Sequence, residues 1–280
     1  GTPFSPIVSA TAEVRNLTID AGATMTVAAS GWLNIHGNNL TVNGTFNTSA
    51  GTLAFRNTAN LNVPGMTVNN VVMNGSGGIT LNGNMNITTA LTLTNGNITI
   101  GNNNLNMTGG TIGSVASHII TNGTGVVTNS NVTVATVVFP VGPDAGSYNA
   151  VEISTGGGFN YSVRVATGVP ATLAAPNRAI NRTWTITASG TPTADVGVRF
   201  SFTDAQGNAA YVAGGPMEAG YFNGTNWVIT TPPGTPASGS PTARQLFTYT
   251  RNFGTAMVVS SAGGILFPTG TPNLDADLYS

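Results

Sequence analysis

From Leu17 to Met107 the chain repeats a three-residue unit in which two apolar side chains flank one polar residue. The first examples are Leu17-Thr18-Ile19, Met25-Thr26-Val27, Leu33-Asn34-Ile35 and Leu40-Thr41-Val42, followed by Leu61-Asn62-Val63 and Met66-Thr67-Val68. The series continues as Ile79-Thr80-Leu81, Met85-Asn86-Ile87, Leu91-Thr92-Leu93, Ile98-Thr99-Ile100 and Leu105-Asn106-Met107. Apart from longer gaps after Val42 and Val68, successive triplets start five to eight residues apart. Period-two alternation over so short a span predicts very short strands, each turning two apolar side chains inward and a Thr or Asn outward.

Asn43-Gly44, Asn82-Gly83, Asn95-Gly96 and Gly101-Asn102 separate many of the triplets. These pairs are expected to supply the positive φ of tight corners. A meander of hairpins is the competing arrangement, but hairpin strands run to about five or six residues. Three short strands per turn, at roughly 20 residues a coil, fit a short right-handed β-helix better. About six coils at the inter-strand spacing of roughly 4.8 Å would extend near 30 Å. Outward Thr and Asn would then stack into ladders.

From about Ala135 the texture changes: segments lengthen, aromatics and Arg appear, and Pro-rich turns intervene. Strands are predicted near 136–139, 150–153, 161–165, 180–187, 196–202, 218–222, 226–229, 247–250 and 256–260. Such spacing describes an Ig-like β-sandwich, with Trp184 and Trp227 as core anchors. One weak helical candidate, 171–179, is interrupted by Pro176. The expected class is all-β: a β-solenoid with its N-terminal segment over 1–134, a β-sandwich over 135–262 and an extended tail over 263–280.

Composition sharpens this. Among the 280 residues are 8 Lys+Arg and 9 Asp+Glu, a charged fraction of 6% against roughly 25% in ordinary soluble proteins. All eight cations are Arg, while Thr (43) and Asn (33) are abundant. So few cations leave no basic surface for nucleic acid or for an anionic membrane. No apolar run is long enough to span a bilayer, and no basic-then-apolar leader opens the chain, so any export signal is expected to have been removed. The absence of Lys removes P-loop and Schiff-base chemistry. The absence of Cys removes thiol catalysis, cysteine-ligated zinc and disulfides.

The 87 residues between Arg56 and Asp144 contain no Asp, Glu, Lys or Arg. Polysaccharide lyases and hydrolases built on β-helices need carboxylates on one face of several coils. The neutral stretch occupies those coils, and no enzyme activity or cofactor is expected. His36 and His118 are the only histidines and no Gly-x-Ser-x-Gly elbow occurs, so a serine triad has no support. Asp275-x-Asp277 and the turn Asp204–Asn208 offer oxygen ligands, but neither forms a calcium loop with its bidentate Glu. Arg164, Arg178, Arg182 and Arg199 are expected to pair with Glu152 and Asp195. Trp32, Tyr161, Tyr211 and Tyr221 are conceivable sugar-stacking platforms, although Tyr161 and Tyr221 sit in strand patterns and Trp32 is read as a cap on the first coil. An ice-binding face would need regular Thr-x-Thr rows, which the mixed Thr and Asn do not provide.

Two stretches carry a resemblance. The run from Val14 to Val27, with the coils LTVNGTFNTSAGTLAF and LTLTNGNITIGNNNLNMTGG, resembles the solenoid regions of Bacteroidota surface proteins exported by the type IX system. HIITNGTGVVT, VVFPVGPDAGSYNAVEI, INRTWTIT and YFNGTNWVIT resemble the module that follows such solenoids. The resemblance covers roughly Val14 to Ser261 and implies an extracellular or cell-surface location. A C-terminal sorting domain expected after the sandwich is absent, implying either cleavage on export or a protein that does without it. The expected function is that of a secreted structural subunit forming a homopolymer, an extracellular filament or sheath. Extended termini would enter neighbouring subunits, with Phe4, Ile7, Val8, Ile265, Leu266, Phe267, Leu274, Leu278 and Tyr279 as contacts. The alternative is a monomeric adhesin binding a surface glycan.

Overall fold

A computed structural model describes residues 5–108, 111–173, 176–231 and 235–260. The protein is all-β, 55% strand and 2% helical. Of the described residues, those up to Ser130 together with Phe139–Tyr148 form one compact unit, and Asn131–Val138 with those from Asn149 to Ser260 form a second. The expected boundary at 134/135 falls inside the exchanged stretch. Val141–Gly142 returns to the first unit and pairs in parallel with Ile119–Ile120.

The first unit is a β-solenoid of about 7 turns. Its pairings are parallel and step by one coil. Met85 pairs with Met66 on the coil before it and with Leu105 on the coil after it. On another face Thr11 pairs with Trp32 and Trp32 with Thr52. A third face stacks Leu61–Val63, Ile79–Leu81, Ile98–Thr99, Ile119–Ile120 and Val141–Gly142. Most apolar members of the triplets are buried, Leu33, Leu61, Ile79, Ile98 and Met85 fully, as are Leu53 and Val71 in the longer strands between them. Each buried aliphatic side chain contributes roughly 1.5–3 kcal/mol, so a core repeated coil after coil holds together without disulfides.

Two local expectations are corrected. The triplets Met85-Asn86-Ile87 and Leu91-Thr92-Leu93 fuse into one 11-residue strand, Met85–Asn95, and the gap after Val42 is filled by another, Thr45–Phe55. In these the chain turns within the strand, and the pairing register shifts between Ile87 and Ala90 and between Thr48 and Thr52. A bulge turns the corner without a loop. The Asn-Gly pairs also differ among themselves. Gly96 and Gly101 adopt φ of 80° and 57°, as expected, whereas Gly83 does not. At Gly83 a side chain would meet the Gly65 backbone of the preceding coil, its Cβ 2.7 Å from the Gly65 nitrogen. Close approach, not handedness, requires glycine there.

The polar positions form the expected ladders. Thr26, Asn47, Thr67, Asn86, Asn106 and Thr128 stand in register on successive coils. Asn106 donates to Asn86 at 2.7 Å, and Asn86 to Thr67 at 3.4 Å. A second device operates at the corners, where an Asn side-chain carbonyl accepts a backbone N–H from the next coil. Asn84 takes that of Asn104 (2.8 Å), Asn104 that of Val126 (3.1 Å), Asn97 that of His118 (3.0 Å) and Asn102 that of Thr124 (3.1 Å). Where the coil bends and the main-chain ladder is interrupted, Asn supplies the missing acceptor. This accounts for the Asn content better than exposed ladders alone.

The second unit is antiparallel. Phe159–Thr167, Arg182–Ala188, Thr255–Ser260, Met217–Phe222 and Trp227–Ile229 form one sheet in that order. Val151–Ser154, Val196–Phe202, Ala243–Thr250 and Ser238–Ser240 form another. Side chains from the two sheets meet: the Trp184 and Phe200 rings lie 5.1 Å apart. Trp184, Trp227, Tyr161 and Phe202 are buried, and Trp227 packs with Leu173, Ala179, Met257 and Val259. Both Trp side chains are therefore core anchors, as their apolar alternation predicts. The helical candidate reduces to a single 3-10 turn at Pro176–Arg178.

Candidate functional site

Of the nine residues expected to make subunit contacts, Phe4, Ile265, Leu266, Phe267, Leu274, Leu278 and Tyr279 lie outside the described residues. Ile7 and Val8 form the first strand of the solenoid, parallel to Thr26 and Val27 of the next coil. Among the described residues that pairing uses only one edge, and Ile7 is 67% exposed.

Several charged side chains are engaged with one another. In the second unit Arg244 grips both oxygens of Asp204 (2.9–3.1 Å), and the Tyr211 hydroxyl donates to the same carboxylate at 2.8 Å. Burial pushes the Asp204 carboxyl up, but the hydrogen bonds from Arg244 and Tyr211 outweigh it and hold the group below its ordinary value. Burial and the Asp204 charge push the Tyr211 hydroxyl well up. Asp204 is thus an ion-pair partner, and Tyr211 is pinned to it rather than offered as a platform. Among the described residues no group of three or more His, Asp or Glu converges on a metal-sized site. Glu152 pairs with Arg199 (2.8 Å), one of the arginines expected for it, whereas Asp195 pairs with Arg251 (2.7 Å). Arg182 donates instead to Asn149 and to the Asn181 carbonyl.

One constellation has no signature in the local sequence. On three adjacent coils, Glu13 accepts from Asn34 (2.7 Å) and from His36 (2.5 Å), while Asn34 accepts from Trp32 (3.0 Å) and Arg56 (2.6 Å). The His36 hydrogen bond is the main cause holding the Glu13 carboxyl below its ordinary value, with burial opposing it. The contacts of Glu13 with Asn34 and His36, and of Asn34 with Arg56, each span one coil, so the solenoid period was the signal that could have assembled them. Trp32 stands mid-stack between Thr11 and Thr52, not as a cap on the first coil. Asn34, at an outward position, is roofed by these neighbours and 3% exposed.

His118 is fully buried, its two ring nitrogens 2.9 Å from the carbonyls of Ser114 and Asp144. The Asp144 carboxylate accepts from Gly146 and Ser147 instead, so His118 has a packing role. Tyr161 is buried with its hydroxyl on the Gly156 carbonyl.

Open grooves lie in both units among the described residues. In the solenoid a space of about 390 Å³ is lined by corner residues including Asn60, Asn97, Val115 and Ala145. The side-chain carbonyl oxygens of Asn60 and Asn97 are committed, to Thr80 and to the His118 N–H. In the second unit the loops that follow Arg182–Ala188, Met217–Phe222 and Ala243–Thr250 line an open cleft of about 480 Å³. Tyr221, Phe253, Thr187, Thr191, Arg251 and Asn252 line it. A further space of about 20 Å³ behind Tyr221 and Phe253 holds no more than about one water.

No protein-family model, curated protein or solved structure matches this chain, so its function rests on the geometry of these sites and on the resemblance in its repeats.

Proposed function

We propose that the chain is a secreted structural subunit that self-assembles into an extracellular filament or sheath, of the kind its repeats resemble in Bacteroidota type IX-exported surface proteins. The observation that carries this reading is the first coil. Ile7–Val8 uses one edge for Thr26–Val27, and its other edge has no strand partner among the described residues. A parallel strand edge with an exposed Ile is a template for another chain. Soluble proteins usually blunt such edges with charge, proline or a bulge; here Pro6 precedes the strand, and its carbonyl accepts the Thr26 N–H of the next coil. Burial of Ile7 by a second subunit would be a heterologous contact, which builds fibres when the rotation does not close. The apolar tail residues Ile265, Leu266, Phe267, Leu274, Leu278 and Tyr279, with Phe4, are the matching donors in this proposal.

Sedimentation and negative-stain microscopy test it. The wild-type chain is expected to form polymers, Ile7→Asp to shorten or dissolve them, and removal of residues 263–280 to abolish them. A monodisperse wild-type particle at the 28.3 kDa chain mass overturns the reading in favour of a monomeric module. Polymers that survive both changes overturn the edge-and-tail contact.

A further inference from the structure

We infer that the cleft at the loop end of the second unit is a carbohydrate site that takes an uncharged pyranose chain. Its volume, about 480 Å³, falls within the range of small-ligand sites. Its walls come from three loops, each anchored at both ends in strands that are paired in the sheets: Arg182–Ala188 pairs with Thr255–Ser260, Met217–Phe222 with Trp227–Ile229, and Val196–Phe202 with Ala243–Thr250. Loops so anchored present side chains at little cost in ordering.

The lining has the two components that sugar recognition needs. Tyr221 and Phe253, both half-buried, provide aromatic surface for the apolar faces of a pyranose ring. Phe253 is braced edge-on against buried Tyr161, the ring centroids 5.2 Å apart. Around them are polar groups not engaged elsewhere: the hydroxyls of Tyr221, Thr187 and Thr191 and the side-chain amide of Asn252 have no hydrogen-bond partner among the described residues. The contrast within the same loops is informative. The Asn223 side-chain carbonyl is used up in capping the backbone of Thr225 and Asn226, and the Ser189 hydroxyl accepts from the Asn160 backbone. Some polar residues thus build the loops, and others face the opening uncommitted. In the solenoid groove the amide oxygens of Asn60 and Asn97 are committed and no aromatic ring lines the space, so that groove carries no comparable site.

Charge decides between sugar classes. Arg251 is the only cation lining the cleft, and Asp195 neutralises it at 2.7 Å. A polyuronate would have to break that pair or leave its carboxylates unmatched, whereas a neutral chain can use the pair as fixed donor and acceptor. The inference is independent of polymer formation: sedimentation decides assembly and titration decides binding, so either can fail alone.

Calorimetric titration of the full chain with cellohexaose, mannohexaose, chitohexaose and a galacturonate hexamer provides the test. At least one of the three neutral oligosaccharides is expected to bind. Tyr221→Ala should weaken it about tenfold or more, Asn252→Ala severalfold, and Tyr221→Phe less than Tyr221→Ala because the ring remains. Tyr249→Ala, which removes an exposed ring outside the cleft, should leave binding unchanged, and thermal melts should show each variant folded. The inference is overturned if no neutral oligosaccharide binds, if the galacturonate alone binds, or if folded Tyr221→Ala binds as the wild type does.

Discussion

Asn106 stands opposite Asn86 on the neighbouring coil and donates its side-chain amide to the Asn86 carbonyl oxygen at 2.7 Å. The pair is one rung of an exposed ladder, where water competes for every hydrogen bond, and its net worth is of order 0.5–1 kcal/mol. The corner asparagines hold a stronger position. Asn104 accepts the Val126 N–H and gives its own N–H to Asn84, so truncation leaves a part-buried backbone donor without its acceptor.

Asn104→Ala is therefore expected to destabilise the solenoid by about 1–2 kcal/mol and Asn86→Ala by no more than about 1 kcal/mol. Urea midpoints of the two variants against wild type measure the difference. Equal effects would show that the corner bonds have no special weight.

In the second unit Trp184 fills the space against Phe200 and donates its indole N–H to the Asn149 carbonyl at 3.1 Å. Trp184→Phe removes both the donor and part of the ring. A loss of about 2–3 kcal/mol is expected from the void and the deprived carbonyl together, read as a lower midpoint in denaturant with near-UV circular dichroism as the probe.

The Asp204–Arg244 pair carries a pH dependence whose direction follows from the lowered Asp204 pKa. The folded value lies below the unfolded one of about 3.9. The pair thus stabilises fully above the unfolded value and progressively less as pH falls through the folded value. At neutral pH Asp204→Asn is expected to cost about 1–2 kcal/mol, since it removes the counter-charge of a bidentate guanidinium that water reaches only in part. The gap from wild type should shrink as unfolding is repeated at successively lower pH below that range. A gap that stays constant with pH would mean that charge at Asp204 is not what stabilises the turn.

Glu13 gives a test of the cross-coil constellation. Its carboxyl is held low chiefly by the His36 hydrogen bond, so His36→Ala should move the Glu13 titration upward, toward the ordinary carboxylate range. Side-chain carboxyl shifts in NMR follow this directly, and an unmoved titration would show that the two groups do not meet in solution.

The period of the triplets suffices to place Leu33, Ile35, Ile79 and Leu81 inside parallel coils, because two apolar residues flanking one polar residue can be buried in only one way. Trp184 and Trp227 are legible as core for the same reason, as large side chains on apolar alternation. The constellation around Asn34 is not legible as a site. Glu13, His36 and Arg56 share no local motif and meet only because each coil returns the chain to the same azimuth. The cleft is still less legible: Tyr221 reads from the sequence as a conceivable platform, but Asn252 and Phe253 come from one further loop and Thr191 from another, with nothing in their neighbouring residues to join them.

What the sequence determined by itself was the class of the molecule: an all-β chain, a solenoid built on short apolar-polar-apolar strands, and an 87-residue run without Asp, Glu, Lys or Arg. These follow from local alternation and composition, which act on every residue independently of its distant neighbours. Only the tertiary structure decided which strands fuse through a bulge and that corner asparagines close the gaps in the main-chain ladder. It also decided that Asp195 pairs with Arg251 and Asp204 with Arg244, and which polar groups are left to face a cleft. Each of those depends on where segments distant along the chain come to rest, and a hydrogen bond or an ion pair is set by that separation in space and not by the identity of the residue alone.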